Sequence, residues 1–453
     1  MIYLTLVVLV ATLGGLLFGY DTAVIAGAIG FLQAHFELTP AMKGWAASCA
    51  LAGCVLGVAL AGPISDRFGR RTMLMVAAVL FLISAVGTAA PKTLTVFVIF
   101  RLLGGVGVGA ASMTSPMYIA EISPARIRGR MVSVNQLAIV SGMLVVYFVN
   151  YFIASYGESL HADWNVLYGW RWMFGSEAIP AVALLAFLFF VPESPRWLAE
   201  KGLVEQARRI LTRVDGAEHT ERELSEIQAA LKEEPATLRQ MFAPGLRVAL
   251  MIGVALAVLQ QVTGINVMLY YGPEIFKNAG ESIDTSLLWT IAMGGCMVLF
   301  TGVAIWSVDQ LGRKPLMIAG AAGMGLCLAA AGAAFWMEQT GLGLLAFILG
   351  YIACFSMSVG PVTWVILSEI FPTKLRGRAL GVATFCLWVA NLIISQTFPM
   401  MDEAPWLIAT FHHGFPFFVY GGFCVVLVAV MAVAVPETKG QTLEQIERRW
   451  IKP

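Results

Sequence analysis

Gly62-Pro-Ile-Ser-Asp66-Arg67-Phe-Gly69-Arg70-Arg71 follows the second apolar run of the chain, and Ser307-Val-Asp309-Gln-Leu-Gly312-Arg313-Lys314 follows the eighth. Two further pairs recur in the same order. Ala120-Glu121-Ile-Ser-Pro124-Ala-Arg126-Ile-Arg128-Gly129-Arg130 follows the fourth run, and Ser368-Glu369-Ile-Phe-Pro372-Thr-Lys374-Leu-Arg376-Gly377-Arg378 the tenth. Pro192-Glu193-Ser-Pro195-Arg196 closes the sixth run and Pro436-Glu437-Thr-Lys439-Gly440 the twelfth. Pairs that keep this register mark an internal duplication, one six-segment half followed by another. Two similar bundles rocking about a central site are a general physical solution to alternating access across a membrane.

The segments between the motifs are apolar enough to cross hydrocarbon. Of 453 residues, 58% are hydrophobic and 13% charged, about half the charged share of an ordinary soluble globule. Mean hydropathy is +0.79, and a spanning helix needs about 20 apolar residues. Twelve runs qualify: 2–31, 46–65, 73–90, 94–119, 131–154, 171–191, 247–275, 286–308, 315–336, 342–368, 379–399 and 411–435. The first lacks a basic flank and an AxA cleavage site, so it reads as a span and not as a cleaved leader. Several runs exceed the thickness of the hydrocarbon, which predicts tilted or broken helices. The expected class is an all-α membrane protein. An N-terminal six-helix bundle covers 1–192, and a linker of short amphipathic helices 193–246. A C-terminal bundle covers 247–436, and a tail 437–453.

Lys and Arg set the orientation. With the N-terminus inside, 24 of the 29 basic residues fall on cytoplasmic connections or the tail, nine of them between Arg196 and Arg247. Lys43, Lys92 and Lys277 fall outside, and Arg101 and Arg171 lie near outer helix ends or within helices. Both termini are therefore expected in the cytoplasm of a bacterial cell, with the chain in its inner membrane. A net charge of +1 gives no reason to expect a nucleic-acid partner. The seven cysteines form no CxxC pair and read as small core residues. The expected partners are lipid, a small molecule and a proton, with no cofactor or metal and a monomeric chain.

The recurring loops carry opposite charges at helix ends, where they can bridge neighbouring helices. In the first half these are Asp66, Arg67, Arg70, Glu121, Arg128, Glu193 and Arg196. In the second they are Asp309, Arg313, Glu369 and Arg376. They predict ion-pair clusters that hold the cytoplasmic side shut in one state and release it in another. The plainer alternative is that they only anchor loops at the headgroups.

Taken with Arg101-Leu-Leu-Gly104-Gly105, PESPRWL at 192–198, Gln260-Gln261-Val-Thr-Gly264-Ile-Asn266 and PETKG at 436–440, these motifs resemble the sugar porters of the major facilitator superfamily. The resemblance covers essentially the whole chain and implies the major facilitator fold of twelve helices in two bundles. Within the family the chain is most similar to the bacterial D-xylose:proton symporter branch, as Glu177 in WMFGSE and the long connection after span five suggest.

A charge inside a span is costly and is by default a functional candidate. Asp21 lies deep in the first span with no partner in its own segment, and Arg101, at the start of the fourth, is the expected counter-ion. Glu177 in the sixth span has no local cation nearer than Arg171 and reads as a second proton-linked carboxyl. A static packing role is the alternative for each. The resemblance implies that the residue matching Asp21 carries the proton. Amides both donate and accept, which suits a polyhydroxylated ligand, and an aromatic ring suits its apolar face. Gln260, Gln261 and Asn266 on span seven are too polar for packing alone. The resemblance adds Tyr270, Gln136, Trp364 and Trp388 around a central sugar, with Phe18 and Tyr271 near its edges or an outer gate.

Three positions depart from the xylose pattern: Met143, Met297 and Leu387 stand where amides are expected. Each removes a donor and an acceptor, and a missing partner for a buried hydroxyl costs about 1–3 kcal/mol. The leading expectation is proton-coupled symport of a pentose or hexose. The alternatives are an uncoupled sugar facilitator and a proton symporter of a polyol or inositol. A sensor would need a longer tail, and an enzyme lacks a nucleophile–base constellation. The adjacent pair His412-His413 reads as part of a solvated outer connection.

Overall fold

The computed structural model describes residues 2–124, 126–231, 242, 246–339, 341–371 and 375–439. Among them every regular element is a helix, and twelve helices are long and apolar enough to cross a membrane. The first six spans are Tyr3–Phe36, Pro40–Phe68, Arg70–Ala89, Leu94–Ile122, Arg128–Leu160 and Asn165–Leu188. The second six are Leu246–Asn278, Ile283–Ile305, Arg313–Trp336, Leu342–Ile370, Gly377–Asp402 and Phe415–Val433. The count and order are those the apolar runs predict. Span six begins earlier than its apolar run because Asn165–Gly169 form a turn of π-helix.

The expected helix breaks fall at three places. Span six opens at Ser176-Glu177. Span seven divides into Leu246–Val262 and Ile265–Asn278, and span ten into Leu342–Met357 and Val359–Ile370. Opened turns expose backbone groups that hydrocarbon cannot solvate, so other polar groups must satisfy them. At span seven, Tyr351 donates to the Thr263 carbonyl at 3.0 Å. At span ten, the Gln260 amide donates to the carbonyls of Val359 and Gly360 at 3.2 and 2.9 Å.

The residues pack as two compact units that cut across the sequence repeat. The first contains Met1–Val24, Ala52–Val146 and Arg171–Pro235. The second contains Ile25–Leu51, Tyr147–Trp170 and Ala236–Pro453. In the first unit, spans two and four approach closely along small residues. A Cβ on Gly53 would collide with the Leu102 carbonyl and the Gly105 Cα, and one on Gly57 with the Val106 carbonyl and the Gly109 Cα. Lipid supplies no hydrophobic drive between helices, so close backbone packing of this kind carries their association.

The linker folds as helices Pro195–Glu200, Val204–Asp215 and Ala217–Leu231. They bury Leu198, Ala207, Leu211 and Leu224 in a small core of their own. Arg126 ties this layer to the loop after span four through Asp215 at 2.7 Å. The linker residues 232–241 and 243–245 and the tail 440–453 lie outside the described residues.

Replacing Gly57 by Leu forces apart spans two and four. We expect a loss of about 1–3 kcal/mol, typical of overpacking, read as a lower thermal unfolding midpoint of the detergent-solubilised protein. A midpoint equal to that of the unaltered protein would show that the close approach is not required.

Candidate functional site

Asp21 is wholly buried on span one, and Arg101 on span four is 1% exposed. Arg101 Nη1 donates to Asp21 Oδ1 at 2.6 Å, and its Nη2 donates to the Asp21 carbonyl at 3.2 Å. The guanidinium also lies over the Phe174 ring, 5.2 Å from its centre, so span six closes the third side. Gly104 leaves room for this arrangement, since a Cβ there would run into Ser84 and crowd the Asp21 carboxylate. The pair expected from sequence is thus formed, as a charge-assisted contact in a dry environment.

Glu177 joins the same cluster. Its break in span six brings a wholly buried carboxyl to within hydrogen-bonding reach of the Asp21 carboxyl. Neither Glu177 oxygen, nor Asp21 Oδ2, receives a donor among the described residues. Arg171 is not its partner: that guanidinium donates to the carbonyls of Ala89 and Pro91 at 3.3 and 2.8 Å. Next to the cluster, Tyr20 and Ser176 share a 2.7 Å hydrogen bond. Two carboxyls therefore face one guanidinium. Were both ionised, the cluster would hold an uncompensated negative charge in hydrocarbon, which is expensive. One proton on either carboxyl removes it. All three residues stand out in the sequence, but nothing in it signals the helix break at Ser176-Glu177 that turns Glu177 toward Asp21.

The amides of span seven form a directed chain. Asn266 donates to Gln261 at 2.5 Å, and Gln261 donates to Gln260 at 3.3 Å. Gln260 spends its amide hydrogens on the break in span ten, as described above. Gln260 and Gln261 are adjacent, yet the helix ends just beyond them and both turn into the same network. Tyr270 and Tyr271 are buried below Asn266. Tyr271 donates to the Ser395 carbonyl at 2.9 Å and packs on Phe398, with 4.9 Å between ring centres. Trp388 is 5% exposed, whereas Trp364 is 39% exposed. In the first unit, Gln136 is exposed and Phe18 half-buried. Met143, Met297 and Leu387 are all buried, at 6, 7 and 5% exposure.

The loop motifs build the same device twice. Gly69 and Gly312 take φ values of 99° and 89°, a region that L side chains rarely enter. Each glycine turns the chain so that the next helix starts against a carboxylate. Glu193 accepts from the backbone N–H of Arg70 and Arg71 at 2.9 and 3.1 Å. Glu437 accepts from those of Arg313 and Lys314 at 3.2 and 3.0 Å. In the first half Arg70 pairs with Glu121 at 3.1 Å, while Ser194 donates to the same carboxylate. In the second Arg313 pairs with Glu369 at 3.0 Å, while Thr438 donates to it.

Asp66 pairs with Arg70 at 3.1 Å, Arg128 meets Glu223 at 3.7 Å, and Arg67 lies over Phe68. Arg196 is exposed and stands outside these pairs. The side chains of Asp309 and Arg376 lie outside the described residues. The Arg70–Glu121 and Arg313–Glu369 pairs each join helices of one half, whereas Arg128–Glu223 ties span five to the linker helix Ala217–Leu231. The hydroxyls of Ser194 and Thr438 were missed from sequence although their matched positions, PES and PET, carry the signal. His413 also departs from a fully solvated reading: half-buried, it meets Asp402 at 3.1 Å, and that hydrogen bond raises its pKa.

A helical carrier with a buried carboxyl–guanidinium cluster in one unit and a fixed amide chain in the other has the parts of a secondary transporter, and the described residues hold no cluster of metal ligands. Comparison with known proteins agrees. The family described as "Sugar (and other) transporter" matches residues 7–450. The chain is 48% identical over 474 residues to the D-xylose-proton symporter of Escherichia coli K12, covering 99% of this chain and 96% of that one. It is 43% identical over 452 residues to the arabinose-proton symporter of Bacillus subtilis 168, covering 99% and 96%. Its structure matches the inward-open conformation of the E. coli xylose transporter XylE with a TM-score of 0.88 and 45% identity, covering 99% of this chain and 100% of that one. The chain belongs to the sugar transporter family and has the major facilitator fold; it is a transporter, not an enzyme.

Glu437 provides a pH test of the repeated cap. Its partial burial disfavours charge, but the N–H groups of Lys439, Lys314, Arg313 and Thr438 outweigh this and hold its pKa below 4.5. A lowered folded pKa contributes stability that is present above the unfolded value and lost as pH falls through the folded one. Glu437→Gln should therefore lower the unfolding midpoint at neutral pH, and the gap to the unaltered protein should narrow as pH falls below 4.5. A gap that does not change with pH would contradict the charged cap.

Proposed function

We propose that this protein imports a monosaccharide, pentose or hexose, together with a proton by alternating access, with Asp21 as the proton site. The observation that carries this reading is the buried cluster in which Asp21 and Glu177 face a single Arg101. A permanent ion pair needs one carboxyl. A second one, without a donor of its own, supplies the extra site through which protonation and the Asp21–Arg101 contact are linked. Protonating Asp21 weakens its hold on Arg101, and Glu177 is placed to take over the guanidinium. The names of the xylose and arabinose symporters support proton coupling and a pentose-sized ligand.

Gln261, Asn266 and Trp388, with Gln260 holding the amide chain in place and Tyr270 beneath it, are the best candidates to hold the sugar. Amide donors and acceptors match its hydroxyls, and the indole matches its apolar face. The buried side chains of Met143, Met297 and Leu387 present no hydrogen-bonding amide. They favour a ligand, or a pose, that makes fewer polar contacts than xylose would make with amides at those positions. The distribution of basic residues supports an inner-membrane location with both termini cytoplasmic.

Uptake of labelled sugar by cells tests the coupling. Asp21→Asn should abolish accumulation against a gradient, and an uncoupler should do the same to the unaltered protein. Accumulation that survives both treatments would overturn the proposal, and equilibration insensitive to the uncoupler would favour an uncoupled facilitator. Competition among pentoses, hexoses and inositols for binding to purified protein then identifies the substrate. Restoring amides at Met143, Met297 and Leu387 should strengthen xylose binding by about tenfold or more if they set specificity, since each regained hydrogen bond is worth about 1 kcal/mol. Unchanged xylose affinity would remove these positions from the specificity account.

A further inference from the structure

Lys43, whose position in the sequence suggests an exposed connection, is one of the more deeply buried cations of the second compact unit. It lies in the first turn of span two with its side chain 6% exposed. Its Nζ donates to Glu274 Oε2 and Glu403 Oε1, both at 2.9 Å. Glu274 follows Pro273 on span seven, and Glu403 follows the end of span eleven. Lys43 therefore comes from the first sequence half and both carboxylates from the second. The Arg70–Glu121, Arg313–Glu369 and Asp21–Arg101 pairs, by contrast, each stay within one half.

Neighbouring contacts join the same segments. Ser48 donates to Gln396 at 2.9 Å, and Gln396 donates to the Ala41 carbonyl at 2.9 Å. On span one, Gly30 packs so closely on Glu274 that a Cβ would collide with its carboxylate. On span five, Tyr147 donates to the Leu269 carbonyl at 2.9 Å. All of these lie at the end opposite the loop motifs.

We propose that Lys43 is a positioning residue of the transport cycle: with Glu274 and Glu403 it forms a latch that holds this end of the carrier closed. The inference rests on the transporter reading, because alternating access requires contacts between the halves to break once in each cycle. The triad suits that duty. Lys43 compensates two carboxylates that would otherwise repel each other, so its loss removes two attractions and unmasks a repulsion. Glu403, whose side chain is 24% exposed against 14% for Glu274, is the more accessible arm and the natural one to part first. Span seven is divided at Thr263-Gly264, so the piece that carries Glu274 can move without the rest of the helix.

Cys49 is a native reporter of opening. It is wholly buried six residues beyond Lys43 on span two. Its modification by a maleimide, followed by peptide mapping on purified protein in detergent, depends neither on membrane orientation nor on transport. Lys43→Gln should speed labelling of Cys49 about tenfold, the size of shift given by losing roughly 1.4 kcal/mol of closed-state preference. Glu403→Gln should speed it less, and the exchange Lys43→Glu with Glu274→Lys should return it toward the unaltered rate. Equal protection of Cys49 in Lys43→Gln and the unaltered protein would overturn the proposal, as would an exchange no better than Lys43→Gln alone. Should Lys43→Gln not elute as a single species, Glu403→Gln decides by the same criterion: faster labelling supports the latch and unchanged labelling rejects it. A failure here with intact proton-driven uptake would reject the latch and leave the transport mechanism standing.

Discussion

Hydrocarbon does not tolerate an unbalanced charge, and the Asp21–Arg101 pair is where this chain meets that constraint most severely. At 2.6 Å and essentially without exposure, the pair holds span one to span four, and the cation over Phe174 draws in span six. Glu177 adds a second carboxyl to a site with one cation. The charge of the cluster can therefore be balanced in different ways, by a proton on one carboxyl or by rearranging which carboxyl holds Arg101. A salt bridge with a single partner would only fasten helices. In the proposed mechanism this arrangement couples a proton to the packing of three of them.

The ends of the spans obey the same constraint in a wetter setting. The twice-built cap, a glycine at positive φ followed by a helix start on a glutamate, satisfies orphan N–H groups that would otherwise need water. The arginine that follows each glycine pairs with the glutamate of the loop after span four or ten. These pairs tie the helix starts of each half to the loops of the same half. At the opposite end polar contacts such as those of Lys43, Ser48 and Gln396 join residues of the two halves, and polar contacts of this kind can break and re-form. The broken helices of spans seven and ten sit between these two regimes, and Gln260 spends its amide on one of the breaks.

Much of this was legible in the sequence for a physical reason: motif, charge and hydropathy are local properties. Twelve apolar runs and three motif pairs gave the spans and their order, and an Asp without a local partner pointed to Arg101. What could not be read depended on backbone breaks and long-range packing. The opened turn at Ser176-Glu177 places Glu177 beside Asp21, and apolar flanks do not encode it. Lys43 lay at a predicted helix edge, where a cation needs no explanation, so its burial against Glu274 and Glu403 was missed. The better clue was Glu274 itself, a carboxylate in an apolar stretch that had to find a partner. The chemistry of Gln260 and Gln261 is legible in the sequence, but the hydrogen bonds from Gln260 to the carbonyls of Val359 and Gly360 are visible only once span ten is seen to break.

In the proposed mechanism sugar crosses together with a proton carried by the Asp21 cluster. This is tested most directly in proteoliposomes with no imposed pH or voltage gradient, with a pH-sensitive dye in the lumen and a transported sugar added outside. The account predicts that inward sugar flow acidifies the lumen and that the acidification disappears in Asp21→Asn. Sugar that equilibrates across the membrane with no change in lumenal pH would contradict it.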